Sequence, residues 1–229
     1  MLNKEFDTWQ ADYTAKINRW VPYYKDLLVQ LIPAGKAAKD ILDLGSGNGN
    51  VVAQLMNQFP EASYSLVDAS EEMLAATEFR FRNRPGVQQF QKYFQDLSFP
   101  SASFDLVTAC LAFHHLKGEE KKAIFKEIIH WLRPGGVLMI SDLFATKKDV
   151  NYPQEILQPW EQYAKSKGTP DEEWRSLMEH HQDYDFPDTL EDHVSWLRSA
   201  GFERVDVFPS NQANWGTIQA QKGISQATV

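Results

Sequence analysis

The sequence predicts an α/β protein with a parallel sheet and helices on both of its faces. Three observations lead there. From Asp40 onward, short apolar runs alternate with segments of helix length. The first run, Ile41-Leu42-Asp43-Leu44, opens straight into the glycine-rich stretch Gly45-Ser46-Gly47-Asn48-Gly49. A later helix stops at Arg133-Pro134-Gly135-Gly136, just ahead of another buried run.

The elements follow in order. Lys4 to about Pro33 is helical and aromatic, with Tyr13, Ile17, Trp20 and Tyr24 at helical spacing. Pro22 is expected to open a second helix carrying Tyr24, Leu27, Leu28 and Leu31 on one face. Ile41–Leu44 is the first strand. Tyr64–Val67 is the second, and Ser70 then caps a helix. A third strand lies near Val87–Phe94 and a fourth at Phe104–Ala109. A helix from about Glu119 to Leu132 precedes a fifth strand, Val137–Ile140. Residues 147–187 break the rhythm, being rich in charge and aromatics without a clear strand. Thr169-Pro170-Asp171-Glu172 there reads as a capping box with proline at the first helical position. Thr189-Leu190-Glu191-Asp192 starts a further helix that ends at Ala200-Gly201, and two strands follow, Arg204–Phe208 and about Trp215–Gln221.

Composition narrows the function. A chain of 229 residues, 43% hydrophobic, can bury one α/β core, so a single domain is expected. The net charge of −8 repels phosphate backbones, and the basic pairs Lys121-Lys122 and Lys147-Lys148 sit among acids, so no nucleic-acid partner is expected. One cysteine, Cys110, excludes an internal disulfide framework and a cysteine zinc site. With no basic-then-apolar leader and no run long enough to span a bilayer, a cytoplasmic protein without membrane contact is the default. Nothing indicates the oligomeric state.

The glycine stretch lets the backbone turn tightly and approach a ligand at the carboxyl end of a strand. Alone it would serve packing equally well. Asp68, at the end of the second strand, is placed to accept hydrogen bonds from both hydroxyls of a ribose. Asp96, after the third strand, is placed to read an exocyclic adenine amine, with the amide of Leu97 reaching a ring nitrogen. Both acids are also good helix caps. Asp43 discriminates between nucleoside ligands. An acid at the mouth of the glycine loop repels a pyrophosphate but suits an ammonium and a sulfonium.

Asp43-Leu44-Gly45-Ser46-Gly47-Asn48-Gly49, Leu66-Val67-Asp68, Gln95-Asp96-Leu97 and Leu132-Arg133-Pro134-Gly135-Gly136 resemble the successive motifs of class I S-adenosylmethionine-dependent methyltransferases. The resemblance is strong over about residues 38–145. It implies a Rossmann-like, doubly wound, seven-stranded sheet, mostly parallel with one antiparallel strand, plus N-terminal helices and a helical insert after the fifth strand. The organisation it suggests is one methyltransferase domain over 1–229. That divides into an N-terminal helical cap (1–37), a cofactor-binding core (38–146), a helical lid insert (147–187) and a closing helix and strand hairpin (188–229). The resemblance also implies roles. Gly45, Ser46 and Gly47 would run beside the methionine part of S-adenosylmethionine, Asp43 would orient it, Asp68 would hold the ribose, and Asp96 and Leu97 would read adenine. Ala69 and Met73 would pack on the nucleoside, and Cys110-Leu111 would offer a backbone contact to the ammonium. Met73 and Cys110 also read as plain buried core.

The acceptor side carries weaker signals, because methyl transfer from a sulfonium needs placement and water exclusion more than a fixed base. His114 and His115 follow the fourth strand at the cofactor edge. On a helical wheel Trp174, Leu177, Met178 and His181 share one face, with His180 and Arg175 on opposite flanks, so His181 is expected to point inward. His114, His115 and His181 are the catalytic candidates. Tyr13, Trp20, Arg175 and His181 are the substrate-binding candidates, with Tyr24 a further aromatic for the cover. No metal is expected, since no spacing along the chain is diagnostic. An enclosed aromatic cover favours a small-molecule acceptor. Two alternatives keep the cofactor: a carboxy-S-adenosylmethionine synthase-like enzyme, for which Arg175 would meet the extra carboxylate, and a non-catalytic cofactor-binding module. A dehydrogenase would prefer a third spaced glycine where Asn50 stands.

Overall fold

The computed structural model describes residues 12–146, 154–209 and 214–224. The expected helix start at Lys4, the Lys147-Lys148 pair and the first residues of the insert lie outside them.

A seven-stranded sheet forms the centre. Its strands are β1 (Asp40–Leu44), β2 (Ser63–Asp68), β3 (Val87–Gln91), β4 (Phe104–Cys110), β5 (Leu132–Leu143), β6 (Phe202–Pro209) and β7 (Trp215–Lys222). The spatial order is β3-β2-β1-β4-β5-β7-β6, and β7 runs antiparallel to both neighbours while the other pairs are parallel. This is the mostly parallel, doubly wound sheet with one antiparallel strand that the motifs implied. Its helices are α1 (Tyr13–Trp20), α2 (Tyr24–Gln30), α3 (Asn50–Gln58), α4 (Glu71–Phe81), α5 (Gly118–Trp131), α6 (Gln154–Ser166), α7 (Asp171–Tyr184) and α8 (Leu190–Ala200).

Strand alternation sorts the core into two layers. Ile41, Leu106, Val137 and Met139 face one side, where Ile17, Trp20 and Leu27 of the first two helices meet Val52, Leu55, Trp160 and Trp174. Leu42, Val107, Leu138 and Ile140 face the other, against Phe125, Ile128, Trp131 and Leu197. Neighbouring residues along one strand thus serve opposite layers, as a sheet covered on both faces requires.

Several local expectations are met. Ser70 caps α4 by accepting from Met73 N–H at 3.1 Å. Thr189 caps α8 by accepting from Asp192 N–H at 3.0 Å, and Gly201 closes it with φ 108°. Others shift. α2 opens at Tyr24, not at Pro22, because Tyr23 takes the N-cap in a left-handed conformation. The third strand stops at Gln91, and Phe94–Asp96 is a separate 3-10 turn. β5 begins at Leu132, since Phe104 pairs with Leu132 before the register resumes at Leu106 and Val137, leaving Arg133–Gly136 as a bulge. The capping box at Thr169 does not form. Pro170 itself is the N-cap, which sets Thr169 one residue too early, and its hydroxyl is buried with no hydrogen-bond partner among the described residues.

Lys121 is fully buried, donating to Phe186 O and pairing with Asp188 at 2.7 Å. It fastens α5 to the connection between α7 and α8 and adds nothing to a basic surface. Among the described residues no helix is long and apolar enough to cross a membrane.

Candidate active site

The strand order reverses between β1 and β4, and a cavity of about 240 Å³ opens at the carboxyl ends of the strands beside that point. Its floor is the glycine loop. Gly45, Gly47 and Gly49 all have positive φ (70°, 52° and 81°), and the Gly45 and Ser46 amides both donate to Val67 O, at 2.9 and 3.0 Å. A Cβ at Gly45 would stand 2.6 Å from the Ala112 Cβ, so only glycine lets this loop meet the one after β4. At Gly47 an added Cβ would meet only Tyr13 Cε1, at 3.9 Å, and would fill cavity space instead.

Asp43 lies buried at the base of the loop. Thr108 Oγ1 donates to its Oδ1 at 2.6 Å, and Oδ2 has no hydrogen-bond partner among the described residues. Burial pushes its pKa up to about 7, against the lowering effect of Thr108. Asp43 itself does not line the cavity; an ionised carboxyl behind the loop favours a cationic ligand group over a pyrophosphate. Asp68 ends β2, where its two oxygens accept from the amides of Gly47 (2.8 Å) and Ser70 (2.9 Å). Those bonds fix the carboxylate at the cavity wall, while Ser70 does the capping.

Gly45, Gly47, Asp68, Ala69, Met73, Cys110 and Leu111 line this cavity. Ser46 does not line it; its hydroxyl turns back to Asp43 O at 3.0 Å. Leu97 is buried in the core, and Asp96 is exposed outside the lining. The 3-10 turn presents Phe94 and Gln95 to the cavity in their place. Burial holds the Cys110 thiol well above its ordinary pKa, as suits a small apolar residue and not a nucleophile. Leu111 has φ 52°, an unfavourable conformation for a branched residue, and its amide is tied to Ser141 O at 2.8 Å.

A smaller cavity of about 60 Å³ adjoins the first. Tyr13, Leu111 and His115 line both. Its other walls include Ile17 and Trp20 of α1, Trp160 of α6, Leu177 and His180 of α7, and Trp215 of β7. Polar contacts hold these helices together. Arg19 Nη2 reaches both oxygens of Glu173, at 2.9 and 3.1 Å, and Trp20 Nε1 donates to the same carboxylate at 2.7 Å. Trp160 Nε1 donates to Trp20 O at 2.6 Å. At the loop end, Thr14 bonds Asn50, and Asn48 bonds Thr14, which seats Tyr13 over the glycines.

The histidine candidates converge here with two acids that sequence reasoning missed. His114 Nδ1 meets Asp142 Oδ1 at 2.5 Å, and Asp142 Oδ2 accepts the amides of Phe113 and His114. Burial would lower the His114 pKa, but Asp142 and Asp185 outweigh it and hold it above its ordinary value. Burial and His114 together lower that of His115. Burial would raise Asp185, yet His114, His115 and His181 keep it well below the usual carboxylate range. His181 binds Asp185 Oδ2 at 2.7 Å and packs edge-on to Trp160, and it lines neither cavity. The wheel had put His180 on a flank; it is buried and lines the smaller cavity, because His115 and Tyr184 extend the covered face of α7 beyond the apolar stripe. Arg175 is exposed and lines neither cavity. Asp142 had a signal, a carboxyl near the carboxyl end of a buried strand. Asp185 had only its spacing of four from His181, since His114 and His115 come from another part of the chain.

Residues 41–136 match the family described as a methyltransferase domain. An uncharacterized methyltransferase of Staphylococcus carnosus is 28% identical over 159 residues, 67% of this chain and 72% of that protein. A carboxy-S-adenosyl-L-methionine synthase of Desulfotalea psychrophila is 24% identical over 200 residues, 84% of this chain and 81% of that protein. The solved phosphoethanolamine N-methyltransferase 2 of Haemonchus contortus, in complex with S-adenosyl-L-methionine, shares the fold with a TM-score of 0.68 at 16% identity. The match covers 97% of this chain and 60% of that one. The chain spans about half the length of several curated relatives that it matches. Over residues 41–136 the chain matches a methyltransferase domain, and its motif order and strand order agree with the class I S-adenosylmethionine-dependent methyltransferase fold.

Proposed function

We propose that this chain transfers the methyl group of S-adenosylmethionine to a small-molecule acceptor seated in the smaller cavity. The observation that carries this reading is the junction of the two cavities at Tyr13, Leu111 and His115. An acceptor beside that junction has the cofactor on one side and an apolar, aromatic wall on the other. When bound, S-adenosylmethionine supplies an electrophilic methyl group on a sulfonium. The protein's part is placement and exclusion of water, which can supply much of the rate.

In this reading Asp43 and the glycine loop hold the methionine end. Asp68 holds the ribose, Ala69 and Met73 pack on the nucleoside, and Phe94 and Gln95 flank the adenine end in the place first expected for Asp96 and Leu97. Tyr13 and Trp20 wall the acceptor, His114 and His115 face it, and His181 acts through Asp185 as a positioning residue. The small volume and the closure of α1 on α6 and α7 favour a small molecule over a polymer. Among the described residues no arginine lines either cavity, and Lys92 is the cation in the lining of the larger one, so the arginine first expected to meet an extra carboxylate is not at the site.

The test is a screen of small-molecule acceptors with S-adenosylmethionine, read by mass for methylated product and S-adenosylhomocysteine. Trp20→Ala is expected to keep cofactor affinity and to lower turnover by roughly tenfold or more, ~1.4 kcal/mol per decade. Unchanged turnover in Trp20→Ala, or methylation confined to polymers, contradicts the assignment of the smaller cavity. A carboxylated ligand in the purified protein would support the synthase-like alternative.

A further inference from the structure

We propose that His114, His115 and Asp185 form a binding site for a divalent first-row transition-metal ion at the wall of the smaller cavity. One ligand atom from each residue lies within 4.8 Å of the other two. Asp185 Oδ1 has His115 Nδ1 at 3.0 Å and His114 Nε2 at 3.6 Å. Two ligands each ~2.1 Å from an ion, at tetrahedral or octahedral angles, stand ~3.0–3.4 Å apart. The two spacings to Asp185 match those edges to within a few tenths of an ångström, and the third, between the two imidazoles, is within 4.8 Å.

Two features point to a cation and not to packing alone. Asp185 Oδ1 is buried yet receives no well-directed hydrogen bond among the described residues, although His115 Nδ1, His114 Nε2 and His180 Nε2 (3.8 Å) surround it. The outer contacts also aim the ligands. Asp142 holds His114 through Nδ1, which turns Nε2 toward Asp185, and His181 holds Asp185 through Oδ2, which leaves Oδ1 facing the imidazoles. Carboxylate–histidine pairs of this kind orient metal ligands and fix their tautomers. His115 Nδ1 also lies 3.4 Å from Tyr184 O, and ligation would replace the proton of that weak contact.

Two imidazoles and one carboxylate suit zinc or iron(II) and leave coordination positions open. His114, His115, His180 and Asp185 all line the smaller cavity, so the open positions face it. There the ion would anchor an oxygen donor of the acceptor. That role rests on the methyltransferase reading, whereas binding of the ion does not.

The test uses the untagged full chain, treated with a chelator and dialysed. Cobalt(II) is titrated by visible absorption and zinc(II) by calorimetry, with S-adenosylmethionine affinity measured separately. The expected result is one ion per chain at micromolar affinity or tighter, with cobalt absorption typical of mixed nitrogen and oxygen ligands. Asp185→Asn and His115→Gln are expected to weaken it about a hundredfold, and Asp142→Asn about tenfold. Absence of binding by the wild-type chain overturns the proposal whatever the variants do, and would mean an imidazole–carboxylate network only. Equal binding by folded Asp185→Asn overturns it too. Metal binding without cofactor binding would sink the methyltransferase reading and leave the ion site standing.

Discussion

The larger cavity takes most of its walls from loops that each directly follow a strand, with Gly45 after β1, Asp68 and Ala69 at the end of β2, and Leu111 after β4. The smaller cavity takes its walls from α1, α6, α7, β7 and the turn after β4, which are brought together only by tertiary packing. The first is written in short motifs, because a glycine at a strand end or an acid at the next one does its work within a few residues. The second is written in contacts between distant segments, such as Glu173 with Arg19 and Trp20, or Asp185 with the two histidine pairs. A substitution in one region, away from the shared Tyr13, Leu111 and His115, should therefore leave the other's ligand undisturbed.

The largest separation is expected for Asp68→Ala. Charge-assisted hydrogen bonds are worth roughly 1.5–3 kcal/mol each, so losing the ribose contacts should weaken S-adenosylmethionine binding at least about tenfold. Cobalt titration should be unchanged in the same variant. Equal cofactor affinity by calorimetry would remove Asp68 from the site, and joint loss of both ligands would show the two regions to be one unit.

A comparable effect is expected from pH. The Asp43 pKa is raised to about 7 in the protein, from a usual value of 3.8. The native state therefore holds a proton that the unfolded chain has released, and this residue's contribution to stability declines as pH rises from about 4 to about 7. Cofactor binding runs the other way, because a cationic group at the loop favours ionised Asp43. Affinity should rise roughly tenfold between pH 6 and pH 8, tracking the ionised fraction, and Asp43→Asn should flatten that rise. A slope that persists in Asp43→Asn would assign it to another group.

The smallest effect concerns the acceptor side. The buried Thr169 hydroxyl lacks a partner among the described residues. Thr169→Val, of nearly equal volume, should raise stability by about 1 kcal/mol in urea unfolding with no change in cofactor affinity. A loss of stability would show that the hydroxyl is satisfied in solution.

Much of the first region was legible from sequence. Strand positions, the Ser70 and Thr189 caps and the place of Asp68 at the cavity wall all depend on nearest neighbours and on two simple periodicities. Asp96 and Leu97 do not line the cavity, where a 3-10 turn after the third strand offers Phe94 and Gln95. In the second region, Tyr13, Trp20, His114 and His115 line the smaller cavity as their type and position suggested, whereas His180 lines it unexpectedly and Arg175 does not reach it. A helical wheel shows which residues share a face and not how wide a face its neighbours cover. Asp142 showed only its place near a strand end and Asp185 only its spacing from His181, since their contacts with His114 and His115 are made by tertiary packing.

The most direct measurement is a calorimetric titration of the purified chain with S-adenosylmethionine and S-adenosylhomocysteine, after co-purified ligand has been stripped and identified by mass. Micromolar binding of both, with an unmodified cofactor in the stripped fraction, is the expected result. Binding of neither, or recovery of a carboxylated cofactor, would contradict the assignment of the larger cavity to the methyl donor.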